Sequence, residues 1–115
     1  QEHCQALRAA GKVDELVTEL QAILAKAPAK VDARKLLALT LWKERRDYAG
    51  AEAQYLEALK YSGENADTLN RLGELSEEHQ AYARAIEYYE RSLKVEWNQP
   101  PTMEGLERAR KALQR

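Results

Sequence analysis

Cysteine, proline and glycine are scarce in this sequence, and residues that favour strands are few. The single cysteine excludes an internal disulfide, so packing alone must hold the fold together. Only ten residues are valine, isoleucine or threonine, whereas 76 of the 115 are alanine, leucine, glutamate, lysine, arginine, glutamine or methionine. Because those seven types are strong helix formers, the composition predicts one domain that is almost entirely helical.

Long apolar stretches and an excess of basic charge are missing as well. Charged residues make up 32% of the chain, and the mean hydropathy is −0.70. No run approaches the roughly 20 apolar residues of a membrane-spanning helix, so we expect no membrane insertion. The net charge of −1 gives no overall attraction to a phosphate backbone, and we therefore expect no nucleic-acid partner.

The start of the chain and its cysteine content bear on the setting of the protein. The sequence begins Gln1-Glu2-His3-Cys4, with neither an initiator methionine nor the basic-then-apolar order of a signal peptide. We therefore expect a part of a larger protein. One cysteine suits a reducing compartment, which favours a cytoplasmic location.

The sequence repeats itself at a spacing of 34 residues. The pairs of identical residues at this shift are Leu41 with Leu75, Glu44 with Glu78, Tyr48 with Tyr82, Ala49 with Ala83, Ala51 with Ala85, Tyr55 with Tyr89, Leu59 with Leu93 and Lys60 with Lys94. A shift of 35 relates the first unit to the second, with the additional residue near Pro28. These shifts predict three units, at about 1–31, 32–65 and 66–99, followed by a capping helix at about 102–114.

Each unit contains two stretches with apolar residues at helical spacing, separated by a short break. We predict helices near 1–10, 13–26, 32–45, 48–61, 66–79, 82–95 and 102–114. The first break falls at Gly11 and the second at Arg46-Asp47, where Asp47 can cap the following helix. A single helix pair cannot bury its apolar stripe but stacked pairs can, which predicts an α-solenoid.

This pattern resembles the tetratricopeptide repeat (TPR), a 34-residue helix-turn-helix unit. In the third unit the residues that match the family pattern are Leu72, Gly73, Tyr82, Ala85, Tyr89, Ser92 and Leu93. The second unit matches in its later half but has Ala38-Leu39 where Leu-Gly is usual, and the first unit is more diverged. The resemblance implies an all-α fold, an α-solenoid of three TPR-like repeats with a C-terminal capping helix.

Small residues and aromatic residues give expectations about packing. Gly73 is expected to lie against Ala85, and Cys4 against Leu16, where paired helices cross closely. Trp97 is expected to be buried between the third unit and the capping helix. The expected apolar stripe of the capping helix is Met103, Leu106, Ala109, Ala112 and Leu113.

Residues able to support catalysis or to bind a metal do not occur in a recognisable arrangement. His3 and Cys4 have no histidine or cysteine partner at helical spacing, and His79 is interpreted as a helix-ending residue. The sequence contains no glycine-rich phosphate loop and no nucleophile motif. We predict that the protein is not an enzyme, holds no metal and needs no cofactor.

The resemblance implies instead that a protein or peptide ligand binds in a concave groove, which the first helix of each pair lines. The residues in the groove positions are Gln1, Gln5, Arg8, Leu36, Leu37, Thr40, Lys43, Asp67, Asn70, Arg71, Glu74, Glu78, Glu104, Arg108 and Lys111. Those predicted to contact the ligand are Leu36, Leu37, Thr40, Lys43, Asn70, Arg71, Glu74, Glu78, Arg108 and Lys111. Leu36 and Leu37 are expected to form an apolar patch in this groove.

One branch of the family holds the C-terminal carboxylate of heat-shock chaperones with two lysines, two asparagines and an arginine. The five corresponding residues of this chain are Gln1, Gln5, Leu37, Asp67 and Arg71. Only Arg71 matches, and Asp67 would repel the carboxylate. We therefore expect that the ligand is not a typical chaperone carboxylate-clamp ligand.

Two other classes of function compete with peptide binding. A structural or oligomerisation segment would pack on its own parent chain or on a second copy, and the diverged first unit favours that class. RNA binding of the kind found in the related pentatricopeptide repeat would need a basic inner surface. The acidic residues of the third unit argue against RNA.

Overall fold

The fold is described from a computed structural model, which gives the backbone of residues 2–114 and the side chains of residues 11–114. The described residues form helices and no strand. The helices are α1 (Glu2–Lys26), α2 (Val31–Lys43), α3 (Tyr48–Ser62), α4 (Ala66–Glu78), α5 (Tyr82–Val95) and α6 (Pro100–Gln114). The all-α class is confirmed, and α2 to α6 match the predicted helices to within two residues at each end.

The predicted break in the first helix pair is wrong. α1 runs unbroken through Gly11, so the helices expected near 1–10 and 13–26 are one helix of 25 residues. A glycine inside a helix costs only about 0.5–1 kcal/mol relative to alanine, and the residues around Gly11 are good helix formers. One glycine is therefore too weak a signal to end this helix. The expected contact of Cys4 with Leu16 lies outside the described side chains.

Left-handed residues and side-chain caps define the helix ends in the two later pairs. The chain turns at Arg46 (φ 53°) between α2 and α3 and at Gln80 (φ 63°) between α4 and α5. The carboxylate of Asp47 accepts a hydrogen bond from the N–H of Gly50 at 3.0 Å, which confirms Asp47 as a cap of α3. The side chain of Asn65 caps α4 in the same way, at 3.1 Å.

The chain divides into two compact units, and the division falls within α3, between Ala58 and Leu59. In the first unit the core residues are Val17, Leu20, Leu24 and Leu37, against which Val13, Leu16, Ala33 and Leu41 pack. In the second unit α5 packs against α4 and α6, and one core cluster comprises Ala85, Tyr89, Leu106 and Ala109, with Tyr82, Ile86 and Leu93 beside it. The division into three repeats stays a prediction.

Tyr89 fills the space where α4, α5 and α6 meet. A Cβ on Gly73 of α4 would lie 2.8 Å from the ring atom Cζ, and a Cβ on Gly105 of α6 would lie 2.9 Å from the same atom. Both helices can approach the ring only because these two residues lack a side chain. The atoms nearest to a Cβ on Gly73 belong to Tyr89. The expected close approach of Gly73 to Ala85 stays a prediction.

Trp97 is not buried, contrary to the sequence prediction, because it is 75% exposed. Gln99 occupies the junction of the three helices instead. Its Nε2 donates to the main-chain oxygen of Ser92 at 3.1 Å, and its Oε1 accepts from Nδ2 of Asn70 at 2.8 Å. The hydroxyls of Ser92 and Thr102 donate to Oδ1 of Asn70 at 2.6 and 2.9 Å. We call these four polar residues the junction network.

We expect Gln99→Ala to destabilise the protein and Trp97→Ala to leave its stability nearly unchanged. The Gln99 variant leaves partners in the junction network without a hydrogen bond, at a cost of about 1–3 kcal/mol. Substitution of an exposed residue such as Trp97 usually changes stability by less than about 0.5 kcal/mol. Thermal unfolding followed by circular dichroism measures both effects. A larger loss for Trp97→Ala than for Gln99→Ala would contradict this assignment.

α6 buries only part of the expected stripe, because Leu106 and Ala109 are buried and Ala112 is half-buried. Its buried residues are Thr102, Gly105, Leu106 and Ala109. Met103 and Leu113 are instead 43% and 55% exposed. The reason is that α6 turns a hydroxyl toward the junction network and a glycine toward the ring of Tyr89, so the face that packs is small and partly polar.

Candidate functional site

Three of the predicted ligand-binding residues line one groove in the first unit. The groove lies between α1 and α2 and encloses about 550 Å³. Its lining residues are Lys12, Val13, Leu16, Leu36, Leu39, Thr40, Lys43 and Glu44. The structure therefore brings Leu36, Thr40 and Lys43 together with side chains of α1, and we call this site the α1–α2 groove.

The floor of the α1–α2 groove is apolar and open to solvent. Leu36 and Leu39 are 43% and 37% exposed, and Val13 and Leu16 are half-buried. The buried hydroxyl of Thr40 donates to the main-chain oxygen of Leu36 at 2.8 Å, so it adds little polarity to the floor. A concave surface with exposed leucines is the kind of surface that binds an apolar partner.

Two lysines and one glutamate form the polar edge of the α1–α2 groove. Lys12, Lys43 and Glu44 are all exposed. Nζ of Lys43 lies 3.9 Å from the centroid of the Trp42 ring, a cation–π contact that holds the ammonium group at this edge. The three groups together give the edge a net positive charge.

Leu37 does not face the α1–α2 groove, so its predicted ligand contact is wrong. The residue is 2% exposed and packs in the core with Val17 and Leu20. Successive residues of an α-helix point about 100° apart. Leu36 and Leu37 therefore cannot both face the groove once α1 packs against Leu37.

The side chain of Asn70 forms hydrogen bonds within the protein. Its side-chain amide donates to Gln99, and its oxygen accepts hydrogen bonds from Ser92 and Thr102. The amide of Asn70 therefore has a structural role in the junction network, and its predicted ligand contact stays a prediction.

The other predicted residues of the second unit lie on exposed faces of α4 and α6. Arg71 and Glu74 form an ion pair of 3.4 Å across one helical turn, and Glu78 is exposed. On α6, a shallow pocket of about 460 Å³ is lined by Met103, Glu104, Glu107, Arg108 and Lys111. Contacts of these residues with a ligand stay a prediction.

Arg108 has an acidic partner on α4. Its Nε and Nη2 donate to the two carboxylate oxygens of Glu77 at 2.7 and 3.1 Å, and the hydroxyl of Tyr89 donates to Glu77 at 2.8 Å. Burial alone would raise the pKa of Glu77, but the hydrogen bonds from Arg108 and Tyr89 and the charge of Arg108 lower it below the ordinary value of 4.5. Burial and the neighbouring carboxylate raise the pKa of Tyr89. The bidentate pair fixes the position of the Arg108 guanidinium, whose side chain is 61% exposed.

We expect the stabilisation contributed by Glu77 to be lost in acid. A carboxylate whose pKa is lower in the folded protein stabilises the fold above its unfolded pKa, and this contribution disappears as the pH falls through the folded pKa. Glu77→Gln should therefore cost about 1–3 kcal/mol at pH 7 and much less well below pH 4.5. Urea unfolding over a pH series measures the difference.

Glu107→Gln is the matched control for this pH series, because Glu107 is an exposed carboxylate of α6. Its effect on stability should be small at every pH. A cost of Glu77→Gln that stays constant from pH 7 into acid would contradict the assignment.

The side chains of Gln1, Gln5 and Arg8 lie outside the described part of the chain, so their predicted contacts are not tested. Sequence reasoning also missed residues of the α1–α2 groove, namely Lys12, Val13, Leu16, Leu39 and Glu44. Leu39 could have been found, because Leu36, Leu39 and Lys43 share one helical face by their spacing. The groove residues of α1 could not have been found. The sequence predicts a break at Gly11, which assigns the residues after it to the second helix of the pair, whereas the first helix is expected to line the groove.

Two further features are absent from the described residues. In this part of the chain, no group of three histidine, cysteine, aspartate or glutamate residues is placed to hold a metal ion. None of the described helices combines the length and the apolar character that crossing a membrane requires.

Comparison with known proteins bears on the fold. No protein-family model and no curated protein matches the sequence. Among solved structures, the first TPR of Spaghetti (RPAP3), bound to the HSP90 peptide SRMEEVD, is similar, with a TM-score of 0.80 and 21% sequence identity. The alignment covers 100% of this chain and 90% of that one. The chain has the tetratricopeptide-repeat fold.

The tetratricopeptide-repeat neighbour also corrects the expectation about chaperone ligands. That structure holds an HSP90 peptide, so the exclusion of a carboxylate-clamp ligand is not supported. The exclusion depended on assigning five residues to ligand-facing positions, and one of them, Leu37, lies in the core. The side chains of two others, Gln1 and Gln5, are outside the described residues. The exclusion is therefore withdrawn.

Proposed function

We propose that this chain is a protein-interaction module that binds a peptide or a partner segment in the α1–α2 groove. The observation that carries the proposal is the exposure of Leu36 and Leu39 on the floor of a groove of about 550 Å³. The peptide in the similar tetratricopeptide-repeat structure supports a role in protein interaction in general.

The ligand of the α1–α2 groove combines apolar and acidic side chains. Burial of apolar area contributes about 25 cal/mol per Å², so the leucines of the floor supply most of the affinity. Lys12 and Lys43 outweigh Glu44 at the edge. The nearby charges of Asp14 and Arg45 form an ion pair with each other and add no net charge. The edge therefore attracts carboxylates, which set the orientation and the association rate of the ligand.

A defined peptide of this chemistry is available as a probe. SRMEEVD, the peptide of the similar structure, contains methionine and valine together with three acidic side chains. Titration of the ¹⁵N-labelled protein with SRMEEVD, followed by NMR, should shift the amide signals of the α1–α2 groove. A phage-displayed library of random heptapeptides should enrich sequences that pair apolar with acidic residues.

Leu36→Asp tests the groove directly, because it places a carboxylate on the apolar floor, where an acidic ligand must approach. We expect this variant to weaken binding of SRMEEVD and of the enriched peptides by at least tenfold, since one buried leucine contact contributes about 1.5–3 kcal/mol. Leu113→Asp is the matched control, because Leu113 of α6 is similarly exposed, at 55%. Isothermal titration calorimetry measures both affinities.

Two results would contradict this proposal. Equal affinities of Leu36→Asp and Leu113→Asp for the peptides would exclude the α1–α2 groove as the site. NMR shifts confined to α4 and α6 would move the site to the second unit.

The structural alternative assigns the same groove to a second copy of the chain. An apolar floor fits that occupant as well as a partner segment. Sedimentation equilibrium at several protein concentrations distinguishes the two, because a dimer that Leu36→Asp dissociates would assign the groove to a second copy. A mass that does not change with concentration would favour the peptide ligand.

A further inference from the structure

The floor of the α1–α2 groove offers no hydrogen-bond partner to the main chain of a ligand. The aliphatic residues that line the floor have side chains without a donor or an acceptor, and they are Val13, Leu16, Leu36 and Leu39. Thr40 contributes little, because it is 6% exposed and its hydroxyl already donates to the main-chain oxygen of Leu36. The main-chain groups below these side chains are paired within α1 and α2. A ligand buried on this floor must therefore pair its own main-chain groups.

This requirement separates a helical ligand from an extended one. An extended peptide would lose the water partners of its main-chain N–H and C=O groups on the floor and gain none in return. Each such group lowers the affinity by about tenfold or more. An α-helix pairs these groups within itself, so only its side chains need to fit the floor.

The length of the groove also suits a short helix. On α2 the residues Leu36, Leu39 and Lys43 lie at i, i+3 and i+7, a stretch of about 10 Å. The lining residues of α1 cover about one turn, from Lys12 to Leu16. A helix that lies along the groove presents side chains to it at every third or fourth residue. Apolar residues at three such positions cover the floor.

The lysines of the groove stand at one of its ends. α1 and α2 are joined by only four residues, at 27–30, so the two helices run antiparallel, and the early part of α1 lies beside the end of α2. Lys12 and Lys43 are therefore at the same end, and Leu36 is two turns of α2 away from it. Acidic side chains at one end of an apolar stripe complement this arrangement.

We propose that the occupant of the α1–α2 groove is an amphipathic helix of a partner protein. Its apolar residues lie at i, i+3 or i+4 and i+7, and its acidic residues lie at the end of this stripe that meets Lys12 and Lys43. As an occupant of the same groove, this helix rests on the function proposed above and specifies the conformation that the ligand adopts.

Two synthetic peptides of identical composition test the helix. Both contain about 15 residues of leucine, alanine, glutamate and lysine, and they differ only in the order. The helical peptide has leucines at i, i+3 and i+7 and glutamates at one end of this stripe. The alternating peptide has the leucines at i, i+2 and i+4, which share one face of an extended chain but not of a helix. By isothermal titration calorimetry, we expect the helical peptide to bind at least tenfold more tightly.

The conformation of the bound peptide gives a direct readout. Peptides of this length are marginally helical in water, so the helical peptide should gain structure on binding. With a ¹³C-labelled peptide, we expect the Cα signals to shift toward helical values when unlabelled protein is added. Cα shifts of an extended chain in the bound peptide would overturn the proposal.

A proline in the helical peptide gives a second comparison. Placed at a central position that faces solvent, proline should weaken binding by about a hundredfold relative to alanine at the same position, because proline breaks a helix interior. An extended chain tolerates proline at such a position. A loss of less than about threefold would overturn the proposal.

Variants of the protein locate the helical peptide. We expect Leu36→Asp to weaken its binding by at least tenfold, with Leu113→Asp as the control outside the groove. Lys43→Glu should slow association of this acidic peptide by about threefold at low salt, because the reversed charge stands at the groove end. Lys26→Glu is the matched control, since Lys26 is the exposed lysine in the last turn of α1 and does not line the groove. Equal effects of the two lysine variants would overturn the placement of the acidic end.

The outcomes separate failure of the helix from failure of the proposed function. Equal binding of both peptides, weakened by Leu36→Asp, would support the groove as the site and overturn the helix. Binding of the heptapeptides without binding of the helical peptide would do the same. Tight binding of the helical peptide that is indifferent to Leu36→Asp would contradict both. A protein dimer that Leu36→Asp dissociates would replace the partner helix by a second copy of the chain.

Discussion

Replacing Gly73 with leucine is expected to lower the free energy of unfolding by more than about 3 kcal/mol. The first added carbon would lie 2.8 Å from Cζ of Tyr89, which is closer than real contacts of a Cβ. The ring has little freedom to move, because Gly105 lies against it and its hydroxyl is hydrogen-bonded to Glu77. Overpacking of a core costs about 1–3 kcal/mol, and displacement of the ring adds the loss of that hydrogen bond.

Thermal unfolding followed by circular dichroism measures the effect of Gly73→Leu. A loss of about 3 kcal/mol corresponds to a fall in the midpoint of roughly 12–24 °C for a small domain. Glu74→Leu, at the exposed neighbouring position of α4, is the matched control and should change stability by less than about 1 kcal/mol. The double variant Gly73→Leu with Tyr89→Ala should lose less stability than the two single variants lose together, because no ring is left for the leucine to overlap. Strict additivity would contradict the explanation.

The helices from α2 onward could be predicted because their ends depend on residues close in sequence. Asp47 and Asn65 accept hydrogen bonds from N–H groups three residues later, which is a local signal. Gln80 shows the limit of such signals. It turns the chain with a φ of 63° although it is not a glycine, and only its distance of 34 residues from Arg46 indicates its role.

The environment of Trp97 could not be predicted, because it depends on three helices at once. A large aromatic residue is usually buried, which suggested that Trp97 fills the junction. The junction instead presents the side chain of Asn70 and the main-chain oxygen of Ser92, and these groups require a partner that can both donate and accept. Gln99 provides both, and an indole N–H can only donate. No local pattern in the sequence shows that these groups meet.

The candidate site could be predicted on α2 and not on α1. Alignment to the tetratricopeptide-repeat pattern predicts that Leu36 and Lys43 lie on the ligand-binding face, and both line the α1–α2 groove. The alignment could not separate Leu36 from Leu37, because that requires knowing which side of α2 packs against α1. The core contacts of Leu37 with Val17 and Leu20 decide this.

Leu37→Asp is expected to unfold the core of the first unit, while Leu36→Asp leaves stability nearly unchanged. Leu37 is 2% exposed, and loss of its apolar contacts alone costs about 2–5 kcal/mol. The aspartate would in addition be buried without a partner, which costs more than a lost apolar contact. Leu36 is 43% exposed, so its replacement keeps the carboxylate in water.

Fluorescence of Trp42 reports this difference, because Trp42 is buried on α2, at 3% exposure. The measurement uses a Trp97→Phe background, in which Trp42 is the single tryptophan of the chain. Leu37→Asp should shift the emission of Trp42 toward that of a solvent-exposed indole and reduce the helical circular dichroism, whereas Leu36→Asp should leave both signals unchanged. If Leu37→Asp kept the native emission and lost only peptide binding, Leu37 would belong to the ligand-binding surface. The burial of Leu37 against α1 argues for the first result, because a charge has no route to water from that position without separating α2 from α1.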